Sequence, residues 1–199
     1  MTNITKNTHI ALIGDSIFDN ESYVDSGHAV SDILRLKTDS RVSLLAIDGD
    51  ITTGVAKQLK RLDAKTTDVF VSVGGNDALQ SIPVLSTGCG TVAEACEILH
   101  LVRENFRTNY AAMLKAVKKK HYKITVCTIY NKVPNLPDNH KTALALFNEV
   151  ITEEAQRENL PVIDLRTMFN EDQDYSPVSP IEPSYFGGLK LADAILDAI

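Results

Sequence analysis

A serine hydroxyl becomes a nucleophile only when one group takes its proton and others steady the oxyanion that its attack creates. Three short stretches of this 199-residue chain hold residues of those kinds: Gly14-Asp15-Ser16, the turn at Gly49, and Gly74-Gly75-Asn76-Asp77. Ser16 supplies a hydroxyl, Gly49 a backbone amide free of side-chain crowding, and Asn76 a side-chain amide. Asp15 and Gly75 adjoin these groups and are candidate substrate contacts. A hydroxyl with two such donors is the equipment of acyl transfer, where losing one donor costs about a hundredfold to a thousandfold in rate.

These stretches can meet only if a fold gathers them. Residues 8 to 14 form an apolar run ending at Gly14, Arg41 to Ile47 form a second strand, and Asp68 to Val73 form a third, almost continuously apolar one. Such a run is expected where helices cover both faces of a sheet. Lys123 to Ile129 and Pro161 to Leu165 complete five strands. Between them, Val30, Ile33, Leu34 and Leu36 mark a short helix. Thr52 or Thr53 is placed to cap another helix carrying Val55, Leu59 and Leu62. After a loop through Pro83, Thr87, Gly88 and Gly90, a long helix runs from about Val92 to Lys119, with Arg107-Thr108-Asn109 as a possible bend. Helices from Lys141 to Glu158 and through Leu189, Leu191, Ala192, Ile195 and Leu196 follow. Regular alternation predicts right-handed crossovers, an α/β sheet of mostly parallel strands, and one domain over residues 1–199. On such a sheet the three chemical stretches share the carboxyl edge.

Composition narrows the partners. Hydrophobic residues make up 44% of the chain without any run long enough to span a membrane, and the formal charge of −6 opposes a phosphate backbone, so no nucleic acid is expected. Lys118-Lys119-Lys120 is a solvated, dipole-matched helix end. The polar start lacks an apolar export core, and the expected location is cytoplasmic. Cys89, Cys96 and Cys127 are odd in number and lack metal-ligand spacing, so they are expected to be reduced thiols, with no cofactor and no structural zinc. Asp15, Asp19, Asp48, Asp50 and Asp77 admit a magnesium-binding edge for phosphoryl transfer, but the spacing of Asp15 and Asp19 departs from the phosphatase pattern. Gly14-Asp15-Ser16 and Gly49 also admit a plainer reading as turns, and His28 as a capping or surface residue.

Gly14-Asp15-Ser16-Ile17 with Asp19 and Asn20, the Gly49 turn, and Gly74-Gly75-Asn76-Asp77 resemble, in order, the first three sequence blocks of the SGNH (GDSL-type) hydrolases. Pro183-Ser184, Gly187 and Lys190-Leu191-Ala192 resemble the last block, so the likeness covers nearly the whole chain. It implies a three-layer, flavodoxin-like fold and hydrolysis of an ester or related acyl group. Carried over, Ser16 is the nucleophile, its own amide with Gly49 and Asn76 forms the oxyanion hole, and Asp77 ties loops together.

The chain departs from the family at the base. Where the family has Asp-x-x-His-Pro-Ser, this sequence reads Ser179-Pro180-Ile181-Glu182-Pro183-Ser184, and no histidine follows His140. It resembles a branch with Ile-Glu-Pro-Ser and a following Gly-Gly. Glu182 then stands where the base belongs. A solvated glutamate is too acidic to deprotonate an alcohol, but burial raises it into a useful range, and Pro180, Ile181, Tyr185 and Phe186 are placed to dry it. Two classes of function remain open on these residues: a serine hydrolase of small or acylated substrates working through Ser16 and Glu182, and a ligand-binding or interaction protein on the same fold.

Overall fold

Parallel pairing of the apolar runs builds the frame. Strand β1 (His9–Gly14) lies between β2 (Arg41–Leu44) and β3 (Asp68–Ser72). Strands β4 (Lys123–Cys127) and β5 (Val162–Ile163) extend the sheet beyond β3, giving the order β2-β1-β3-β4-β5 with every pair parallel. The sheet is thus the five-stranded parallel one that the alternation of strands and helices predicts. The computed structural model describes residues 8–119 and 122–199; the polar start at 1–7, Lys120 of the basic cluster and His121 lie outside them.

Two-residue periodicity divides the core. Ala11 and Ile13 of β1, with Val69 and Val71 of β3, face the layer of α2 (Val55–Gln58), α4 (Val92–Val117) and α5 (Asp138–Arg157). Ile10, Leu12 and Phe70 face the opposite layer, where α1 (Val30–Lys37) packs with α7 (Tyr185–Asp197). Two shorter helices complete the set: α3 (Gly75–Ser81) follows β3, and α6 (Leu165–Met168) follows β5. No helix among the described residues is long and apolar enough to cross a membrane.

Several sequence expectations change at this level. Leu36 is 83% exposed and is no part of the α1 stripe, since that helix presents only Val30, Ser31, Ile33 and Leu34 to the core. The segment after Gly49 is a 3-10 turn (Thr52–Gly54), one α turn and a second 3-10 turn (Leu59–Arg61), with no threonine cap. Thr52 is engaged elsewhere, as described below. The stretch through Pro83 is helical, α3 leading into a 3-10 turn at Ile82–Ser86. Helix α4 runs through Arg107-Thr108-Asn109 as one element, with Arg107 paired to Glu153 and Glu154 of α5. Its first turns are outside the core: Val92 is 81% exposed and Leu101 69%.

One side chain joins the ends of several elements. Gln58, fully buried at the end of α2, accepts the Gly14 N–H through Oε1 (2.8 Å) and donates through Nε2 to the Gly14 carbonyl (2.7 Å) and to Asp50 Oδ2 (2.8 Å). Gly14 itself has φ of +137°, and a Cβ there would stand 1.7 Å from the Ser72 carbonyl oxygen. Replacing Gln58 by Ala strips the buried Gly14 N–H of its acceptor, and an orphaned buried donor costs about 1–3 kcal/mol. Chemical denaturation of the Gln58→Ala variant is expected to show that loss.

Candidate active site

The strand order reverses direction between β1 and β3, and an open α/β sheet binds ligands outside the strand carboxyl ends at such a point. Ser16 follows β1 there, and Gly75 and Asn76 open α3 directly after β3. The turn Asp48-Gly49, with Gly49 at φ +77°, follows β2 on the same edge. A cavity of about 110 Å³ opens against Asp15, Ser16, Gly75, Asn76 and Glu182. Gly49 is not part of its wall.

Ser16 donates its hydroxyl proton to Glu182 Oε1 at 3.0 Å, bridging 166 residues of sequence. Glu182 is 4% exposed, and its second oxygen, Oε2, has no hydrogen-bond partner among the described residues. Burial pushes the carboxyl up to about 7; the Ser16 hydroxyl pulls the other way and the Asp48 charge adds to the rise. The glutamate is held by its backbone: its N–H donates to the Ser179 carbonyl (3.0 Å) and its carbonyl accepts from the Ser176 N–H (2.8 Å). Tyr130 O–H donates to the Ile181 carbonyl, and Asn20 Nδ2 donates to the Pro183 carbonyl (3.0 Å). Ser184 then caps α7, accepting from the Phe186 and Gly187 N–H groups. The residues expected to dry Glu182 do so only in part, because Ile181, Tyr185 and Phe186 are exposed. Buried Tyr130 and Val133 share its cavity wall and exclude the water.

Three candidate donors follow strands on this edge of the sheet. The backbone N–H groups of Ser16 and Gly49 donate to no protein acceptor among the described residues. Asn76 donates through Nδ2 to the Asp50 carbonyl at 2.9 Å, which orients its amide and leaves the second N–H unspent. Asp50 is the residue Gln58 grips, so one glutamine connects the Gly14, Gly49 and Asn76 loops. Gly54 leaves room for this arrangement, since a Cβ there would sit 1.7 Å from Asp50 Oδ1. Asp77 accepts from the Thr52 N–H and hydroxyl, each at 3.0 Å, and so ties α3 to the turn after β2.

The acids of this edge are committed to protein donors. Asp19 accepts the Asp48 N–H, Asp48 accepts the Tyr23 hydroxyl, and Asp50 accepts from Ile51 and Gln58. Among the described residues no three His, Cys, Asp or Glu side chains are grouped to hold a metal ion. His28 stacks on Tyr185 with ring centroids 4.3 Å apart and makes no hydrogen bond to Ser16. Cys127 is buried in β4, and Cys89 and Cys96 are exposed thiols.

The sequence reading left out three features of the site. Gln58 was legible in principle as a polar residue three positions after Val55 on the buried side of α2. His140 reaches the cavity wall from the first turn of α5, and no local pattern marks it. The apolar wall is built by Leu79, Ile82, Leu85, Leu99, Leu136 and Leu144, several of them from the stretch read as a loop.

Comparison with known proteins agrees with this fold. A search of the curated proteins finds no match. Among solved structures, a member of the lipolytic G-D-S-L family from Veillonella parvula superposes with a TM-score of 0.72 at 16% identity, over 96% of this chain and 98% of that one. The lipase/acylhydrolase from Enterococcus faecalis gives 0.67 at 23% identity, over 96% and 95%. Phospholipase A1 from Streptomyces albidoflavus gives 0.70 at 16%, over 96% and 99%. At these identities the likeness carries the fold, a five-stranded parallel sheet between helical layers. Family membership rests on the sequence itself: residues 12–181 match the GDSL-like lipase/acylhydrolase family, and the chain belongs to it.

Proposed function

We propose that the chain hydrolyses carboxylic esters of short apolar acids, with Ser16 as nucleophile and Glu182 as its general base. The observation that carries this reading is the 3.0 Å hydrogen bond from Ser16 Oγ to a buried glutamate on the wall of an apolar cavity. In the first step Oγ attacks the acyl carbon and its proton passes to Glu182 Oε1. The Ser16 and Gly49 amides and Asn76 Nδ2 take up the charge on the carbonyl oxygen. The tetrahedral species collapses, the alcohol leaves with the proton from Glu182, and the acyl group stays on Ser16. Water then attacks the acyl carbon with Glu182 again taking the proton, the Ser16 Oγ–acyl bond breaks as Glu182 returns that proton to Oγ, and the acid departs.

The pKa near 7 suits both halves of this cycle, since a base poised near the working pH can also return its proton. The wall limits the substrate. It carries leucine and isoleucine side chains and, among the described residues, no lysine or arginine to pair with a phosphate or carboxylate on the acyl side. Its volume of about 110 Å³ is of the order of the roughly 150 Å³ apolar cavity that admits benzene. That fits a short acyl group.

A fluorophosphonate probe is expected to label the protein stoichiometrically and to fail with Ser16→Ala. Absence of labelling in the folded wild type would mean that the cavity binds a ligand without cleaving it. Glu182→Gln is expected to lower kcat/KM about a hundredfold or more, the contribution typical of a general base. The wild-type rate should fall as pH drops through about 7, where Glu182 gains a proton and can no longer accept one from Ser16. With p-nitrophenyl esters, acetyl to butyryl chains should exceed long chains in kcat/KM, and Leu144→Trp should narrow the preference toward acetyl.

A further inference from the structure

Asp15 is a second buried carboxyl on the cavity wall that the cycle above does not use. It is 2% exposed, and Oδ1 accepts the Ile17 N–H at 3.2 Å. Oδ2 lies on the side of Gly75, where a Cβ would stand 3.8 Å from it. Gly75 immediately precedes Asn76, and both line the same cavity as Asp15 and Ser16. The charged and titratable groups around it come from four elements. Glu182 precedes α7, Asp77 is on α3, the Cys127 thiol is in β4, and the Tyr130 phenol follows β4. His140 lines the cavity from α5. No lysine or arginine is on the wall to balance a negative charge.

A buried carboxylate with no cation beside it and two more carboxylates nearby is costly in its charged form, and it relieves that cost by keeping its proton. Once protonated, the carboxyl carries an O–H donor on the cavity wall. We propose, building on the reading of Ser16 as nucleophile, that Asp15 is held as a neutral acid whose Oδ2–H donates to the substrate's acyl oxygen, a further catalytic donor beside Asn76. Burial first, and then the Glu182 and Asp77 charges, push its pKa up to about 8, against the pull of the Ile17 N–H. The donor is therefore present at neutral pH and lost above about pH 8. Two buried carboxyls thus take opposite parts, Glu182 accepting a proton and Asp15 offering one.

The test uses infrared difference spectroscopy and kinetics on the full chain. At pH 7 the wild type should show the C=O stretch of a protonated carboxyl that is absent in Asp15→Asn, and the band should shift when a short methyl ketone fills the cavity. Absence of the band, or no shift on saturation with the ketone, would overturn the proposal, and neither reading requires turnover. In kinetics, Asp15→Asn keeps a neutral donor and the acceptor for Ile17. It should stay within about tenfold of wild type at pH 7 and lose the decline above pH 8, whereas Asp15→Leu should fall about a hundredfold. Asp15→Asn as inactive as Asp15→Leu at pH 7, with the fold intact by circular dichroism, would mean that a negative charge is needed and would refute the donor role. Fluorophosphonate labelling of the wild type reports Ser16 separately, so failure of the nucleophile and failure of the Asp15 donor are distinguishable.

Discussion

Gln58 holds the functional edge together. Its carboxamide meets both polar groups of the Gly14 peptide and the Asp50 carboxylate, and Asp50 in turn orients the Asn76 amide. The loops after β1, β2 and β3 would otherwise be three separate turns with unpaired backbone groups at the end of a buried sheet. A buried network of this kind is valuable only when every member is satisfied, because a half-paired one leaves polar groups in low dielectric. Here the amide spends Oε1 on one donor and Nε2 on two acceptors. The close approach of β1 to β3 at Gly14 makes that economy of space possible, since a side chain there would collide with the Ser72 carbonyl.

The opposite wall is fastened differently. Glu182 lies on a proline-bounded segment with no strand or helix of its own, and its position is set by backbone hydrogen bonds to Ser176 and Ser179, by Tyr130 beneath Ile181 and by Asn20 beneath Pro183. Tyr130 stacks on Phe169 and meets Tyr175 edge-on, so an aromatic cluster backs the segment. This gives a loop residue a fixed geometry. It also removes water from the carboxyl, and burial is the leading cause of its raised pKa.

The electrostatics of the site follow from what is missing as much as from what is present. With no lysine or arginine on the cavity wall among the described residues, burial is the leading cause that raises both Asp15 and Glu182. Such sites separate into an acid and a base according to burial and hydrogen bonding. The Ser16 hydroxyl favours the charged form of Glu182 and the Ile17 N–H that of Asp15, each against that burial. The apolar leucine wall continues the same logic into the substrate pocket, where only an uncharged group is accommodated without desolvation cost.

Local pattern was enough for the layers and for the loops that carry the chemistry. Apolar runs of five to seven residues separated by amphipathic stretches predict a parallel α/β sheet, and glycine, aspartate, serine and asparagine immediately after those runs mark its carboxyl edge. The elements that misread were those whose environment is set from a distance. Leu36 has the helical spacing of a core residue but is 83% exposed. The stretch through Pro83 has turn composition, yet its leucine and isoleucine side chains gain a cavity to line and it becomes helical. The residue type at Glu182 was legible in the sequence; its hydrogen bond to Ser16 was not, because 166 residues separate them and only the completed sheet brings the two ends of the chain together. Gln58 and His140 belong to the same class. Chemistry resides in residue type, which the sequence determines, whereas distance, burial and the absence of a counter-charge exist only after folding.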